Sequence, residues 1–414
     1  MKVLLLAYAC EPGRGSEPGV GWHWAQNLAP HAEIHVLTRA NNEAAIIAAM
    51  ATIPAQISFH YHDLGRYTRM IKRVIGVQAY HQLWHITALR LIKRLQAENE
   101  FDLIHHLTFG VAWGVSPAWI VARRFIWGPF GGGDIAPAVI TRSWPLRPRL
   151  AESVRRLFVM AAFRLNPLAW LAFSQADMLF ARTHATYAAI PERYRHKARV
   201  LLETGAPDVP EAPDSARIAA KAEMLSQELR LVTVGRLIPL KYTELALHTL
   251  AELGKRGYRP ILNILGTGPQ SMELSALAVR LGIADQVSLA GQLAREQVFE
   301  QLNQAHVLLH PSVREGGAWS IFEALAMGLP VICLDNAGPG AIVDGDSGVK
   351  LTPTTSDAMA RSMADAVIAM TADPTTWTRH ANAARRRAIT GLSWHAITET
   401  VLADWHRVVA DERA

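Results

Sequence analysis

Cysteine is scarce in this chain of 414 residues, which contains only Cys10 and Cys333. Each cysteine ends a predicted buried strand, and the two strands lie in different halves of the chain, so we expect no disulfide between them. Such sparse cysteine excludes a disulfide-dense secreted scaffold and is typical of proteins from a reducing cytosol. We therefore predict a cytoplasmic protein.

Long apolar runs are also missing. A membrane-spanning helix needs about 18 or more consecutive apolar residues, and no such run occurs. The nearest candidate, Leu157 to Ala181, is broken by Arg164, Asn166, Pro167, Gln175 and Asp177. The N-terminal MKVLLLAYACEPG holds one lysine and a short apolar run, which predicts a first strand rather than a signal peptide. We do not expect the chain to cross a membrane.

Acidic residues are under-represented in the first half of the chain only. Residues 1–205 hold 23 Lys and Arg against 13 Asp and Glu, a net charge of +10, whereas residues 206–414 hold 19 against 23, a net charge of −4. This asymmetry predicts that the first half meets an anionic surface or substrate. An arginine-rich solvated exterior is the alternative explanation.

Apolar strand patterns alternate with helical patterns along the whole chain. The second half shows this most clearly, in RLVTVG, PILNILG, QVSLAG, HVLLHPS and PVICLD. Strands of this kind are buried on both faces of a parallel sheet. A proline-rich stretch at residues 203–215 reads as a hinge. The sequence therefore predicts an α/β protein with two Rossmann-like doubly wound domains, residues 1–205 and 206–392, and a final helix over about 393–414.

The stretch VREGGAWSIFEALAMGLPVICLD, residues 313–335, carries the strongest functional signal. A buried strand precedes it, Gly316 and Gly317 break the chain, and a helix is predicted from Trp319. Glycine-rich turns that open a helix at the carboxyl end of a parallel strand bind anions and nucleotides. Glu315 and Glu323 supply acceptor oxygens suited to sugar and ribose hydroxyls. For Glu323, an interaction with the helix dipole alone is the competing interpretation.

Three further glycine turns follow predicted strands. VGRLIPLK contains Arg236 and Lys241, and NILGTGPQ contains Gly266. The first loop, CEPGRGSEPGVGW, contains Gly19 and Gly21 and is also expected to meet phosphate at a helix N-terminus. Its spacing is not G-x-G-x-x-G, and no acidic residue ends the next strand, which excludes a dehydrogenase.

Taken together, these turns resemble the signature of the retaining, nucleotide-sugar-dependent glycosyltransferases of family 4, which have the two-domain fold called GT-B. The resemblance covers nearly the whole chain and implies a nucleoside-diphosphate sugar as donor substrate, with no cofactor and no metal. It implies that Arg236 and Lys241 grip the donor diphosphate, that Glu315 contacts the donor sugar and that Glu323 holds the ribose. EGGAW stands where many members carry EGFG, which leaves the donor sugar open.

The same resemblance implies roles for several other positions. The N–H groups of Gly317, Ala318 and Trp319 would receive sugar hydroxyls or phosphate oxygen, beside Gly316 and the turn at Gly266. The loop at Gly19 to Gly21 would face the donor phosphates and the acceptor. His106, the second histidine of FDLIHHLTFG, would reach the reacting sugar, although a histidine at a strand end is often structural. The glycines of FIWGPFGGGDIAP would line the acceptor side, and the C-terminal helix would cross back onto the first domain.

Several alternatives remain open at this stage. Asp344, Gly345 and Asp346 spell a DxD pattern that holds a divalent ion in another glycosyltransferase fold, but two aspartates around a glycine are commonly a β-turn. The basic, apolar helix predicted over Arg66 to Glu98 fits an anionic membrane surface or an ordinary exterior. No nucleic-acid-binding module is present. The expected partners are a nucleotide sugar, a lipid-linked or oligosaccharide acceptor, and an anionic membrane. A catalytically silent homologue, or an epimerase or phosphorylase of the same fold, is the competing function.

Overall fold

The computed structural model of the protein describes residues 1–52, 57–114, 116–209 and 213–411, with the backbone alone for residues 52 and 66–75. Its internal contacts divide the chain into two compact units. The first unit comprises Met1–Gly133, Arg155–Thr204 and Trp394–Ala414, and the second comprises Asp134–Val154 and Gly205–Ser393. Part of the predicted hinge, residues 210–212, lies outside the described residues.

Each unit is built on one parallel sheet, as predicted. The first sheet has the strand order β3-β2-β1-β4-β5-β6-β7, with β1 (Lys2–Leu6), β2 (Glu33–Arg39), β3 (Ile57–His62), β4 (Leu103–His106), β5 (Phe125–Phe130), β6 (Met178–Ala181) and β7 (Ala198–Val200). The second has the order β10-β9-β8-β11-β12-β13, with β8 (Arg230–Val234), β9 (Ile261–Leu265), β10 (Val287–Gly291), β11 (Val307–His310), β12 (Val331–Leu334) and β13 (Gly348–Leu351).

Helices connect these strands. In chain order they are α1 (Ser16–Leu28), α2 (Glu43–Ala49), α3 (Arg66–Asn99), α4 (Ala138–Thr141), α5 (Leu146–Arg164), α6 (Pro167–Gln175), α7 (His184–Ala189), α8 (Ser215–Glu223), α9 (Thr243–Lys255), α10 (Ser271–Arg280), α11 (Arg295–Gln304), α12 (Trp319–Ala326), α13 (Ala337–Ile342), α14 (Ser356–Met370), α15 (Pro374–Thr390) and α16 (Trp394–Ala410). The α3 helix is interrupted at Gly76, whose φ is 78°. No single helix within the described residues is both long and apolar enough to span a membrane; α5 and α6 reach that length and composition only as a pair, with a bend of 50° between them.

The most apolar strands occupy the middle of each sheet. Val3 to Leu6 of β1 have no exposed surface, because β1 pairs with β2 on one side and β4 on the other and both of its faces are covered. The two cysteines are free and buried, one in each unit. The alternation of apolar strands with helices therefore predicted the class of fold correctly.

The division of the chain differs from the sequence-based boundaries in one segment. Residues 134–154 belong to the second unit, although the sequence analysis placed them in the first. The reason is apolar packing: Ile140 and Trp144 are buried in the same core cluster as Tyr242 and Leu245. The C-terminal helix belongs to the first unit, where Trp405 of α16 donates a hydrogen bond to Nδ1 of His105 at 3.2 Å.

The α1 helix begins earlier than predicted and lies very close to the end of β1. It starts at Ser16 after Gly15, so Gly19 and Gly21 are buried helical residues and not part of the loop. A Cβ atom on Gly21 would stand 2.2 Å from the carbonyl oxygen of Ala9. The role of Gly21 is therefore close helix–strand packing, which the sequence analysis had taken for contact with phosphate.

This contact predicts the effect of a single methyl group. Replacing Gly21 with alanine should destabilise the first unit by about 2 kcal/mol or more, because neither the helix nor the Ala9 carbonyl can move without disturbing the core. Gly254 is a matched control, since it is also helical and a Cβ there would meet nothing within 4 Å. Gly254→Ala should be neutral or stabilising. Differential scanning calorimetry measures both, and equal transition temperatures for the two variants would contradict the packing argument.

Candidate active site

The glycine turns after β8 and β9 pack backbone against backbone. Gly266 has a φ of +135°, and a Cβ atom on it would stand 2.0 Å from the carbonyl oxygen of Gly235. The N–H of Gly235 donates to the carbonyl of Leu265 at 2.9 Å, and that of Leu237 donates to Thr267 at 2.9 Å. Only glycine fits at position 266, because any side chain would push the two turns apart. Gly266 therefore supports the turn that carries Arg236 and Lys241.

Lys241 lies in a short 3-10 turn, Pro239–Lys241, ahead of the next helix. The α9 helix begins two residues later, after Tyr242 adopts a left-handed conformation with a φ of 51°. The side chain of Lys241 lies over the glycine turn. If Gly235 carried a Cβ atom, that atom would lie 3.6 Å from Nζ of Lys241. The lysine is thereby held at the carboxyl end of β8.

Glu315 is the centre of a polar network at the ends of β8 and β11. Its Oε1 accepts from Nζ of Lys241 at 2.5 Å, and its Oε2 lies 3.0 Å from Nε2 of His310, the last residue of β11. The other ring nitrogen of His310 lies 3.4 Å from Oγ of Ser320 in α12. Burial by itself would raise the pKa of Glu315, but the hydrogen bonds and charges of His310 and Lys241 outweigh it and lower the pKa to about 2. Glu315 is therefore ionised at any physiological pH.

Sequence reasoning missed His310 and Ser320. The signal was present, because His310 ends a fully buried strand only five residues before Glu315. A polar residue at the carboxyl end of a central parallel strand faces the ligand edge of the sheet. His310 orients the carboxylate that the sequence analysis had singled out alone.

The loop between Glu315 and α12 offers backbone donors. Within the part of the chain that the structure describes, the N–H groups of Gly316 and Gly317 donate to no protein acceptor. Ala318 is the N-cap of α12 and is fully buried, and the N–H of Trp319 donates to the carbonyl of Gly317 at 3.0 Å. Trp319 is therefore not free to receive a ligand as predicted, because its N–H closes the turn. Gly316 and Gly317 remain as donors beside the positive end of the helix dipole.

Neighbouring segments hold this loop in place. Arg314 pairs with Glu152 of α5 at 3.3 Å, and both belong to the second unit. Asn336 donates to the carbonyl of Val313 at 2.6 Å. A Cβ on Gly338 would lie 1.9 Å from the carbonyl oxygen of Gly316, so α13 starts directly against the loop. The loop that carries Glu315 is thus fixed from both sides.

Glu323 has a very different environment from Glu315. It lies in the middle of α12, half-buried, and its carboxylate makes no hydrogen bond or ion pair with any residue that the structure describes. Burial raises the pKa of Glu323 to about 7, with a smaller opposing effect from Arg295. A half-buried carboxylate without a partner is costly unless a ligand supplies donors. This position is consistent with the ribose-binding role that the resemblance implied.

Arg236 is exposed, and among the described residues its guanidinium has no partner. It follows β8 directly, two residues beyond Val234, on the turn that Gly235 and Gly266 support. An exposed guanidinium at this edge of the sheet is available to two phosphate oxygens at once.

The DxD pattern is a structural turn. Asp344 accepts from the N–H and the hydroxyl of Ser347 at 2.8 and 2.6 Å, and Arg387 pairs with it at 2.8 Å. Its carboxylate is therefore occupied by the protein. Within the described residues, Asp344 and Asp346 belong to no group that could hold a metal ion.

Several glycines of the first unit serve packing. Besides Gly21, a Cβ on Gly131 would lie 2.2 Å from a guanidinium nitrogen of Arg182, and a Cβ on Gly133 would lie 2.5 Å from Cα of Thr186. Arg182 in turn binds both oxygens of Glu203, at 2.9 and 2.8 Å. The triple-glycine loop thus packs against the ion pair of Arg182 with Glu203 and against the first turn of α7.

His106 is fully buried inside the first unit, as is His105. His105 is satisfied, because its Nε2 contacts the carbonyl oxygen of Gly128 at 2.6 Å and its Nδ1 accepts from Trp405. Within the described part of the chain, neither ring nitrogen of His106 has a hydrogen-bond partner of normal geometry, and its ring neighbours are His81, His85 and Trp127. His106 therefore offers no nitrogen at the surface of its unit, because the aromatic core surrounds it.

The geometry of the second unit agrees with its family match. Residues 214–386 match the family model described as glycosyl transferases group 1. The chain is 25% identical over 357 residues to the 2-deoxystreptamine glucosyltransferase of Streptomyces kanamyceticus, covering 83% of this chain and 87% of that protein. It is 28% identical over 250 residues to a D-inositol 3-phosphate glycosyltransferase of Mycolicibacterium gilvum, covering 58% of this chain and 54% of that protein.

Solved structures share the fold over the full length. The structure of HepE from Anabaena, in complex with UDP-glucose, aligns with a TM-score of 0.57 at 16% identity, covering 98% of this chain and 100% of that one. At this identity the likeness concerns the fold alone. Residues 214–386 thus match the family model of the group 1 glycosyl transferases, and the chain has the two-domain GT-B fold of glycosyltransferases.

Proposed function

We propose that this protein transfers a hexosyl group from a nucleoside-diphosphate sugar to a lipid-linked or saccharide acceptor, with retention of anomeric configuration and without a metal. The reaction would serve the synthesis of a cell-surface polysaccharide or glycolipid. The observation that carries the proposal is the ionised Glu315, held between Lys241 and His310 beside the two free N–H groups of Gly316 and Gly317.

Cations must stabilise the departing nucleoside diphosphate. Negative charge develops on its phosphate oxygens as the glycosidic bond breaks, and groups already in position lower the barrier without reorganising. Lys241 and Arg236 lie on one turn after β8, and the N–H groups of Gly316 and Gly317 add donors at the start of α12. These groups together would supply the positive charge that a divalent ion provides in the glycosyltransferase fold with a DxD pattern. HepE was solved with UDP-glucose, which supports a donor of the same class.

The family resemblance implies retention, and the way Glu315 is bound bears on how retention would be achieved. Both of its oxygens already have partners, so the carboxylate is poorly suited to attack the anomeric carbon as a nucleophile. We therefore favour attack by the acceptor hydroxyl on the face from which the diphosphate departs. The new bond to the acceptor oxygen forms as the bond to phosphate breaks, and the phosphate takes the hydroxyl proton. Glu315 and His310 would hold the sugar hydroxyls meanwhile.

Two competing functions give different observations. A silent homologue would bind a nucleotide sugar and never release the nucleoside diphosphate. An epimerase would convert the nucleotide sugar without any acceptor. The D-inositol 3-phosphate glycosyltransferase among the relatives transfers to an anionic acceptor by its name, which favours transfer to an acceptor here.

The proposed donor site predicts that removing the positive side chain of either Arg236 or Lys241 abolishes most of the turnover. With a panel of nucleotide sugars and an acceptor extract, the wild type should release nucleoside diphosphate from at least one donor. Arg236→Ala and Lys241→Ala should each lower that rate at least about 100-fold, the usual scale for one contact that stabilises transition-state charge. Phosphate-coupled assays measure the release.

The control is a positively charged residue of the same unit that lies away from the turn after β8. Lys255 ends α9, its side chain is 70% exposed, and it pairs only with Glu252. Lys255→Ala should keep the wild-type rate. Calorimetric affinity for the nucleoside diphosphate should also be equal in EDTA and in Mg²⁺. Full activity of both donor-site variants, or nucleotide binding that requires Mg²⁺, would refute this assignment.

Glu323 predicts a pH dependence of nucleotide binding. Ribose hydroxyls donate to the ionised carboxylate, so binding lowers the pKa of Glu323 from its raised value of about 7. Affinity should therefore be complete above pH 7 and fall as the pH drops below it, by up to about tenfold per pH unit. Calorimetric titrations of the nucleoside diphosphate across this interval measure the effect.

Glu323→Gln is the matched variant, because it keeps the shape and removes the titration. It should bind the nucleotide about tenfold more weakly at pH 8. Ionisation of the nucleotide phosphates changes the affinity of both proteins with pH, so the difference between their plots of affinity against pH reports Glu323 alone. Without ligand, the folded protein favours protonated Glu323, so the contribution of Glu323 to stability is fully present below the ordinary glutamate pKa and is lost as the pH rises through about 7. The variant should lack that decline. Equal affinity of both proteins across the range would remove Glu323 from the ribose site.

For the acceptor, we propose a reversible attachment of the first unit to the cytoplasmic face of an anionic membrane. The supporting surface lies on α5, on α6 and on the short link between them, where large apolar side chains are exposed: Leu157 is 68% exposed, Phe158 51%, Leu165 75% and Leu168 65%. Arginines are interspersed on α5, at 155, 156 and 164. Apolar insertion combined with basic groups is the pattern of interfacial helices. The basic side chains within residues 66–75, which the sequence analysis also invoked, lie outside the described residues.

This surface predicts binding to anionic vesicles that weakens with salt. The wild type should sediment with vesicles containing anionic lipid at low ionic strength and less at high ionic strength, because the attraction is screened beyond about 8–10 Å. The double variant Leu165→Ser, Leu168→Ser should lose this binding. Met272→Ser is the control, since Met272 is 84% exposed on the second unit. Equal sedimentation with neutral and anionic vesicles, or none with either, would contradict the proposal.

A further inference from the structure

Three histidines form a closed group in the core of the first unit. His81 and His85 lie one turn apart on α3, and His106 is the last residue of β4. All three side chains have no exposed surface. One ring nitrogen of each histidine lies within 4.8 Å of a ring nitrogen of each of the other two. No other group of three or more His, Cys, Asp or Glu side chains within the described residues is arranged to hold a metal ion.

The distances within this group suit one shared ion. Nε2 of His81 lies 3.0 Å from Nε2 of His85. Two imidazole nitrogens bound tetrahedrally to zinc at about 2.0–2.1 Å would be about 3.3 Å apart. The ring of His85 is 4.3 Å from that of His106, centroid to centroid, at an angle of 60°. Small side-chain movements would therefore bring all three rings onto one ion.

Hydrogen bonding inside the protein does not account for this group. A single contact between His81 and His85 uses one nitrogen of each. Among the described residues, Nδ1 of His81, Nδ1 of His85 and both nitrogens of His106 are buried without a hydrogen-bond partner of normal geometry. Buried polar atoms without partners are rare and costly, and an unseen ion is one of the few explanations for several together.

A neutral imidazole nitrogen is the form of histidine that binds a metal. Imidazole nitrogens without carboxylates or carbonyls do not suit Mg²⁺ or Ca²⁺, which prefer oxygen. They suit zinc and similar transition metals.

We propose that His81, His85 and His106 bind one divalent transition-metal ion, with zinc as the best fit. The ion would fasten α3 to β4 inside the first unit, with its fourth position open to water or another small ligand. This site is structural and is independent of the donor site, all of whose residues belong to the second unit. A HxxxH spacing on a helix, in HQLWH, was the sequence signal for it.

The test measures metal content and affinity in the full-length protein. Wild-type protein prepared with zinc in the medium should contain about one zinc per chain, and chelator-treated protein should take it up again in calorimetry. Co²⁺ should give the visible absorption bands of a tetrahedral nitrogen site. His81→Gln and His106→Gln should each weaken zinc binding at least about tenfold. The thermal transition of the wild type should rise with Zn²⁺ and not with Mg²⁺.

The control is a second histidine pair in the same unit. Nδ1 of His35 lies 2.9 Å from Nε2 of His60, with stacked rings, but this pair belongs to no group of three. His60→Gln should keep wild-type zinc binding. If His81→Gln or His106→Gln does not fold, the zinc stoichiometry, the cobalt spectrum and the zinc-dependent thermal shift of the wild type still test the proposal. Absence of stoichiometric zinc in the wild type, or an equal loss of zinc binding in His60→Gln and in the two variants of the site, would overturn the proposal.

Discussion

The second unit depends on the placement of one buried charge. Taking the Glu315 carboxylate out of water is unfavourable, and the structure offsets this with Lys241 on one oxygen and His310 on the other. These partners come from two different strand ends, so the network forms only when the turns after β8 and β11 are both in place. Gly235, Gly266 and Gly338 allow the necessary close approach of the backbones.

The sequence predicted the fold well because parallel strands buried on both faces are recognisable as apolar runs. Every predicted strand is present, and the glycine turns at Gly235 and Gly266 lie at strand ends as expected. Arg236, Glu315 and the glycines beside it were singled out from their glycine turns and the family resemblance, and the structure places them at strand ends. These features are local, since each depends on a few consecutive residues and the period of a strand or helix.

Long-range packing decided what the sequence could not predict. Residues 134–154 join the second unit because Trp144 and Ile140 fill its core, and nothing in their own pattern identifies that partner. Gly21 looked like part of a phosphate loop, but its requirement for glycine comes from Ala9. His106 looked like a substrate contact because a histidine follows a strand, yet α3 covers it with two further histidines.

The two glutamates of the motif show how one unit gives the same side chain two states. Glu315 is ionised, because His310 and Lys241 outweigh its burial, whereas Glu323 is half-buried without a partner and has a raised pKa. Groups whose environments separate their pKa values usually have separate tasks. A carboxylate already fixed by the protein can orient a sugar without changing its charge. A carboxylate that lacks donors gains them only from a ligand, so Glu323 couples nucleotide binding to its own ionisation, and Glu315 does not.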